Sequence, residues 1–213
     1  LIQTGKLNDA IQQIHTLNET YNATVYDLLQ NEDLRKEVSL YVNGVFRALL
    51  SSVNELHTVH LHNSIVANGE LLSTFMFSRL LQQEGINAAL LPALDFMRID
   101  KSNEPDNFYI QQNLNRLLDK TAEADIYITQ GFICIDAQGT VTNLQRGGSD
   151  YTATIIGATI KAEEVQIWTD IDGFHNNDPR YVTDTSALSH LSYDEAAELA
   201  YFGSCVLHPQ AVQ

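Results

Sequence analysis

Residues 146–180 contain the highest density of functional residue types in this chain: Arg146-Gly147-Gly148-Ser149-Asp150, then Trp168-Thr169-Asp170-Ile171-Asp172-Gly173, then Asn177-Asp178-Pro179-Arg180. A glycine pair lets the backbone approach a ligand closely, because no Cβ stands in the way. A helix that begins at such a loop turns its free N–H groups towards an anion. We therefore expect this segment to bind a small anionic substrate and a phosphate donor.

Strands and helices are predicted to alternate on both sides of this loop. The sequence pattern predicts strands at 58–62, 88–92, 125–132 and 165–169, and helices at 68–83, 107–120, 151–160 and 192–202. Gly85 is expected to end the first of these helices and Gly139 to form a hairpin turn. Ser149 and Asp150 are expected to cap the helix that follows them. The alternation favours an α/β domain with a mostly parallel sheet.

The first quarter of the chain has a different pattern. Apolar residues recur at spacings of three and four within 6–30 and again within 33–56, which predicts two helices. The polar residues 31–33 suit the turn and cap between them. We expect this region to form a helical hairpin without chemistry of its own.

Composition excludes several classes of function. The net charge of −15 over 213 residues argues against a nucleic-acid partner and against binding to an anionic membrane surface. Cys134 and Cys205 are the two cysteines and form no disulfide framework, so we expect a cytoplasmic protein. No apolar run approaches the roughly 20 residues needed to span a bilayer, and no signal peptide is visible. Because the chain begins at Leu1 rather than Met, we expect it to be a fragment or an excised domain.

Each candidate site residue could bind a ligand or could have a purely structural role. Arg146 could grip a carboxylate or phosphate and Asp150 could orient a base, a metal or a lysine, but a tight turn with a helix cap would also explain them. Thr169 to Gly173 would lie at the carboxyl edge of the sheet, where open α/β sheets bind ligands, or would be an ordinary Asx-rich loop.

Two further candidates lie before residue 71. Glu70 could hold a substrate ammonium, or could simply favour the first turn of a helix. His57, His60 and His62 could bind a metal, but no acidic or cysteine partner is close in sequence, so we predict no protein metal site.

Five blocks together resemble the aspartate kinases of the amino-acid kinase family. The blocks are Gly69-Glu70-Leu71-Leu72-Ser73, residues 146–153, residues 168–173, Asp178-Pro179-Arg180, and residues 192–203 followed by Val206-Leu207-His208-Pro209. The likeness is continuous from about residue 60 to the end, and residues 1–56 match only as the family's variable helical region. It implies an αβα sandwich with a mainly parallel central sheet at 57–213, incomplete at both ends. The substrate lobe would extend to about residue 120 and the nucleotide lobe would follow.

The resemblance also implies an activity and a role for each site residue. The reaction would be phosphorylation of the aspartate side-chain carboxylate by ATP with Mg²⁺, the first step toward lysine, threonine and methionine, in a parent protein expected to be a homo-oligomer. The implied substrate-binding residues are Glu70 for the ammonium, Arg146 for the α-carboxylate, and Gly147, Gly148 and Ser149 around the pocket. Asp150 would organise the catalytic lysine. The implied nucleotide-binding residues are Thr169, Asp170, Arg180 and His175, the last standing where many members have a tyrosine.

The sequence departs from the family pattern at several points. The family's opening lysine-phenylalanine-glycine-glycine-threonine-serine loop, whose lysine is the catalytic cation, has no counterpart among the five lysines, and a later serine-serine-lysine segment is also missing. Gln145 replaces the glycine usually found before the arginine. We therefore expect the fragment to be inactive by itself. The alternatives are a non-catalytic nucleotide-binding or regulatory module, and an amino-acid kinase for another acidic substrate such as glutamate.

Overall fold

The computed structural model describes residues 4–54, 58–145, 147–168, 172–177, 181–202 and 211. Within them the helices and strands follow in the order α1 (Leu7–Leu28), α2 (Glu32–Ser52), α3 (Val59–Gln83), β1 (Ala88–Leu91), a 3-10 helix (Ala93–Asp95), α4 (Asn107–Lys120), β2 (Ile126–Thr129), β3 (Ile133–Ile135), β4 (Val141–Asn143), α5 (Gly148–Ile160) and α6 (Tyr193–Phe202). The first three helices precede the first strand, so the helical region extends to residue 83, beyond the predicted 1–56, and an α/β region follows. None of the described helices is long and apolar enough to cross a bilayer.

The two predicted N-terminal helices are present, with the predicted turn between them. The Asn31 side chain caps α2 and accepts hydrogen bonds from the backbone N–H groups of Asp33 and Leu34 at 3.0 and 3.1 Å. The apolar faces of α1 and α2 meet residues of α3 in a helical cluster: Val25, Leu29, Val38, Val42, Phe46, Leu72 and Met76. The helical region is therefore continuous with the rest of the fold through α3.

The prediction for residues 58–70 is wrong. Instead of a strand at 58–62 and a helix start at residue 68, α3 begins at Val59 and runs through both segments. Thr58 is its N-cap, with Oγ1 accepting from Leu61 N–H at 3.1 Å. The apolar–polar alternation there spans too few residues to outweigh this cap and the long helical stretch that follows. His60 and His62 consequently share no strand face.

The strands form two small pairs. β1 and β2 are parallel, in register from Ala88 opposite Ile126 to Leu91 opposite Thr129. β3 and β4 form an antiparallel hairpin whose turn contains Gly139 with φ +83°, as predicted. β2 is shorter than the predicted strand and its first residues are exposed, because only one described strand pairs with it.

A strand was also expected at 165–169, and residues 165–168 do not form one. Val165 lies against Gly157 of α5 at a distance that leaves no room for a Cβ on that glycine. Trp168 is 88% exposed. A strand is stabilised by hydrogen bonds to a neighbouring strand, and no described strand pairs with this segment.

A central cluster lies beneath the strands and α4. Its members include Ala67, Leu91, Phe96, Met97, Ile110, Leu114, Ile133, Cys134, Leu144 and Ile155. α3 contributes Ala67 to this cluster and Leu72 to the helical cluster. α3 is thus held on two sides, and Glu70 lies between these two contacts along the helix.

Candidate active site

The glycine loop leads directly into α5. Gly147 is the N-cap residue, with φ +74° and no side-chain capping hydrogen bond. The prediction that Ser149 and Asp150 cap the helix is wrong, because α5 begins at Gly148 and both residues lie within its first turn. Asp150 is half-buried there, where the positive end of the helix dipole favours a carboxylate.

The glycine loop packs against the loop that follows β2. A Cβ added to Gly148 would lie 2.9 Å from Cβ of Leu144 and 3.0 Å from Cβ of Phe132. One added to Gly131 would lie 3.0 Å from Cβ of Ser149. Such distances are shorter than van der Waals contact, so the two loops can touch only because glycines stand at the contact points.

Hydrogen bonds fix the relative position of these two loops. The Thr152 hydroxyl donates to Gly148 O at 2.7 Å and accepts from Phe132 N–H at 3.1 Å. Phe132 O in turn accepts from Leu144 N–H at 2.8 Å. These bonds join the segments that follow β2 and β4 to α5, beside the residues predicted to bind the substrate.

Two non-glycine residues of these loops have left-handed backbone conformations. Phe132 has φ +55° and Gln145 has φ +62°. Gln145 is the residue that replaces the expected glycine, and its N–H donates to the Asn143 side chain at 2.9 Å. A side chain in this region costs energy that glycine avoids, so the surrounding contacts must stabilise the loop.

Glu70 lies in the middle of α3 rather than in the first turn of a helix. The favourable interaction with a helix N-terminus that the sequence suggested is therefore absent for this residue. Its side chain is half-buried, and no described residue forms an ion pair or a hydrogen bond with its carboxylate. The carboxylate is available for a cationic ligand group.

Sequence reasoning missed Gln130. This residue follows β2 directly, and it is only 2% exposed. Its Nε2 donates to Thr74 Oγ1 at 2.7 Å, and its Oε1 accepts from Ala93 N–H at 2.8 Å. The sequence feature that could have identified Gln130 is its position directly after an apolar strand, because open α/β sheets bind ligands at the carboxyl ends of their strands.

The nucleotide-side residues are only partly described. Arg146, Thr169, Asp170 and Arg180 lie outside the described residues. His175 is described: its Nε2 lies 2.6 Å from Oδ1 of Asp172, and its Nδ1 lies 3.0 Å from Oγ1 of Thr185. The hydrogen bond to His175 lowers the pKa of the Asp172 carboxyl below its ordinary value.

Segment 172–177 pairs with segment 185–188. His175 forms an antiparallel bridge with Ala187, and Leu188 N–H donates to Phe174 O at 2.7 Å. Both ring nitrogens of His175 have partners within this pairing, so the imidazole is held in one orientation. In the part of the chain that the structure describes, no group of three or more His, Cys, Asp or Glu side chains could hold a metal ion.

Comparisons with known proteins show the family of the chain. The sequence profile of the Amino acid kinase family matches residues 5–213. The chain is 33% identical over 202 residues to the chloroplastic bifunctional aspartokinase/homoserine dehydrogenase 2 of Zea mays, covering 91% of this chain and 22% of that protein. It is 36% identical over 152 residues to the lysine-sensitive aspartokinase 3 of Escherichia coli K12, covering 70% of this chain and 34% of that protein.

Solved structures give the same result. The crystal structure of E. coli aspartokinase III in complex with aspartate and ADP matches with a TM-score of 0.79 and 29% identity, over 94% of this chain and 45% of that one. The same enzyme in complex with lysine and aspartate matches with a TM-score of 0.76 and 28% identity, over 96% of this chain and 46% of that one. The chain spans between about a fifth and a third of the two curated relatives named above. The predicted resemblance and the predicted fold are both confirmed, and the chain belongs to the amino acid kinase family.

Proposed function

We propose that this chain supplies the substrate pocket and part of the nucleotide site of an aspartate kinase. The observation that supports this most directly is the match to E. coli aspartokinase III in complex with aspartate and ADP. In the reaction, an oxygen of the aspartate side-chain carboxylate forms a bond to the γ-phosphorus of ATP. The bond from that phosphorus to the bridging oxygen breaks, and ADP leaves. The product would enter the synthesis of lysine, threonine and methionine.

On the substrate side, charge complementarity suggests the orientation of aspartate. The Glu70 carboxylate, which has no partner among the described residues, would accept hydrogen bonds from the substrate ammonium. Arg146 and the N–H groups at Gly147 and Ser149 would bind the α-carboxylate at the positive end of α5. Gly148 would lie beside them, with its own N–H donating to Gln145 O at 3.1 Å. This would leave the side-chain carboxylate of the substrate directed away from both groups.

Asp150 would orient a lysine that neutralises charge on the transferring phosphoryl group. Phosphoryl transfer depends mainly on positioning and charge neutralisation, so a lysine at this point would contribute much of the rate. None of the five lysines in residues 1–213 lies in a glycine-rich loop. We expect residues 1–213 expressed alone to show no turnover for this reason.

On the nucleotide side, Thr169, Asp170, Arg180 and His175 would contact ATP. Mg²⁺ is usually held by substrate phosphates with one or two carboxylates rather than by an all-protein site. The ion would neutralise charge on the phosphates.

A hydroxamate assay on the complete gene product tests the proposal. With ATP, Mg²⁺ and hydroxylamine, L-aspartate should give aspartyl hydroxamate, and L-glutamate at equal concentration should give far less. A higher kcat/KM for glutamate would contradict the assignment of the substrate. Residues 1–213 are assayed alone in parallel, and turnover by them would contradict the proposed requirement for a lysine in a glycine-rich loop.

A further inference from the structure

A continuous line of hydrogen bonds connects the backbone after β1 to the carbonyl of Glu70. Ala93 N–H donates to Oε1 of Gln130 at 2.8 Å, and Nε2 of Gln130 donates to Thr74 Oγ1 at 2.7 Å. The Thr74 hydroxyl then donates to Glu70 O at 2.7 Å. The Gln130 amide thus has a partner at each end, and its side chain is 2% exposed.

The same glutamine also adjoins the glycine loop. Gly131, the next residue, contacts Ser149 so closely that an added Cβ would lie 3.1 Å from Cα of Ser149. A displacement of Gln130 would therefore move the Gly131 loop against α5 as well as the turn of α3 that contains Glu70. The two groups proposed to bind the two ends of aspartate are linked through this one residue.

A second link fixes the first half of α3. Asn63 Nδ2 donates to Thr142 Oγ1 at 3.3 Å, and Asn143 Nδ2 donates to Asn63 Oδ1 at 3.1 Å. The Asn143 side chain also accepts from the N–H of Gln145, the residue before Arg146. Glu70 lies between these two links along α3, so loss of the Gln130 link would remove the hydrogen bond that fixes the turn containing Glu70 relative to β2, while the apolar contacts of α3 remain.

We infer that Gln130 is a positioning residue for aspartate, which acts through Thr74 to set the distance between Glu70 and the Gly147–Gly148 loop. The inference rests on the proposed function. Loss of the hydrogen bond between Gln130 and Thr74 would weaken the hold on the turn of α3 that contains Glu70. We therefore expect a lower affinity for aspartate. Under the proposed function ATP would contact other residues, so the affinity for ATP should not change.

The test compares steady-state kinetics of four variants of the complete gene product. Gln130→Met removes both polar ends at similar length, Thr74→Val removes the hydroxyl, and Thr74→Ser keeps it. Ser78→Ala is the matched control, because Ser78 is a buried hydroxyl further along α3 that donates to Phe75 O at 2.8 Å. Its loss costs α3 a similar hydrogen bond without breaking the link to Gln130.

We expect Gln130→Met and Thr74→Val to raise the KM for aspartate about fivefold, as for one hydrogen bond of ordinary net strength. The KM for ATP should stay unchanged, Thr74→Ser should restore wild-type behaviour, and Ser78→Ala should leave the KM for aspartate unchanged. If Gln130→Met does not fold, the Thr74→Val and Thr74→Ser pair decides the question.

An unchanged KM for aspartate in Thr74→Val, or equal increases in the KM values for aspartate and ATP, would overturn the inference but not the proposed function. An effect of Ser78→Ala as large as that of Thr74→Val would also overturn it, because the link would then be merely structural. A wild-type protein without aspartate-dependent turnover would overturn the proposed function and this inference together.

Discussion

The two sides of the proposed active site are stabilised in different ways. On the substrate side, buried groups from α3, β2 and α5 meet across long sequence separations, and Gln130 and Thr152 are each 2% exposed. On the nucleotide side, the described hydrogen bonds join neighbouring segments, and the Asp172 side chain is 74% exposed. Substitutions on the substrate side should therefore change stability and ligand binding together, whereas those on the nucleotide side should change stability less.

The largest effect should come from Glu70→Gln on the substrate side. Loss of the charge opposite the substrate ammonium should lower kcat/KM for aspartate by about 10- to 100-fold, as for a hydrogen bond to a charged group. Steady-state kinetics of the complete gene product measure this change. Glu84→Gln at the end of α3 is the matched control, and an equal loss there would show that the effect is not specific to the pocket.

The next effect is on stability, and it comes from Gly148→Ala. The added Cβ would collide with Leu144 and Phe132, so the free energy of unfolding should fall by about 1–3 kcal/mol, as for an overpacked core. Urea denaturation monitored by circular dichroism measures the loss. Gly44→Ala in α2 meets nothing within 4 Å and should instead raise stability by up to about 1 kcal/mol. Equal responses to the two substitutions would contradict the close contact between the loops.

His175→Ala should separate binding from stability on the nucleotide side. Removal of the imidazole should raise the KM for ATP by about threefold to tenfold, the equivalent of roughly 1 kcal/mol. The urea midpoint should fall less than with Gly148→Ala, because the His175 side chain is 14% exposed but its hydrogen bonds are local to residues 172–185. A loss of stability comparable to that of Gly148→Ala would remove the distinction between the two sides.

The smallest predicted effect is a pH dependence of the structure around Asp172 and His175. The pKa of Asp172 is lowered in the folded state by the hydrogen bond to His175. The ionised carboxylate therefore stabilises the local fold at pH values above the ordinary carboxyl pKa. This stabilisation is lost as the pH falls through the lowered pKa. Amide chemical shifts of residues 172–176 should therefore change below about pH 4, while those of residues 40–50, which contain no carboxylate, should not. In the same titration of His175→Ala, the Asp172 transition should move up towards the ordinary carboxyl pKa, and an identical profile would contradict the assignment.

Caps and turns whose partners lie close together in the sequence could be predicted. The helix signature at Ser192 is confirmed, since Ser192 N–H donates to Glu195 at 2.8 Å and Glu195 N–H donates back to the serine hydroxyl at 3.2 Å. The turn at Gly139 and the helix end at Gly85 are confirmed by their positive φ angles. In each case the partners lie within a few residues of each other.

Features that depend on residues far apart in the sequence could not be predicted. The Gln130 side chain donates to Thr74, 56 residues away, and Gly148 lies in close contact with Phe132. The start of α3 was misplaced because a short alternation resembled a strand, although Thr58 caps a helix there. The strand at 165–169 was predicted from its apolar pattern, which contains no information about whether a partner strand is available.

A crystal structure of the complete gene product with L-aspartate would directly test the proposed position of the substrate between Glu70 and the Gly147–Gly148 loop. We predict that the substrate ammonium lies within about 3 Å of a Glu70 carboxylate oxygen. The α-carboxylate should lie at the Gly147–Gly148 end of α5, and the Gln130 hydrogen bonds to Thr74 and Ala93 should be unchanged. Aspartate bound in the opposite orientation, or bound away from Glu70 and this loop, would contradict the account.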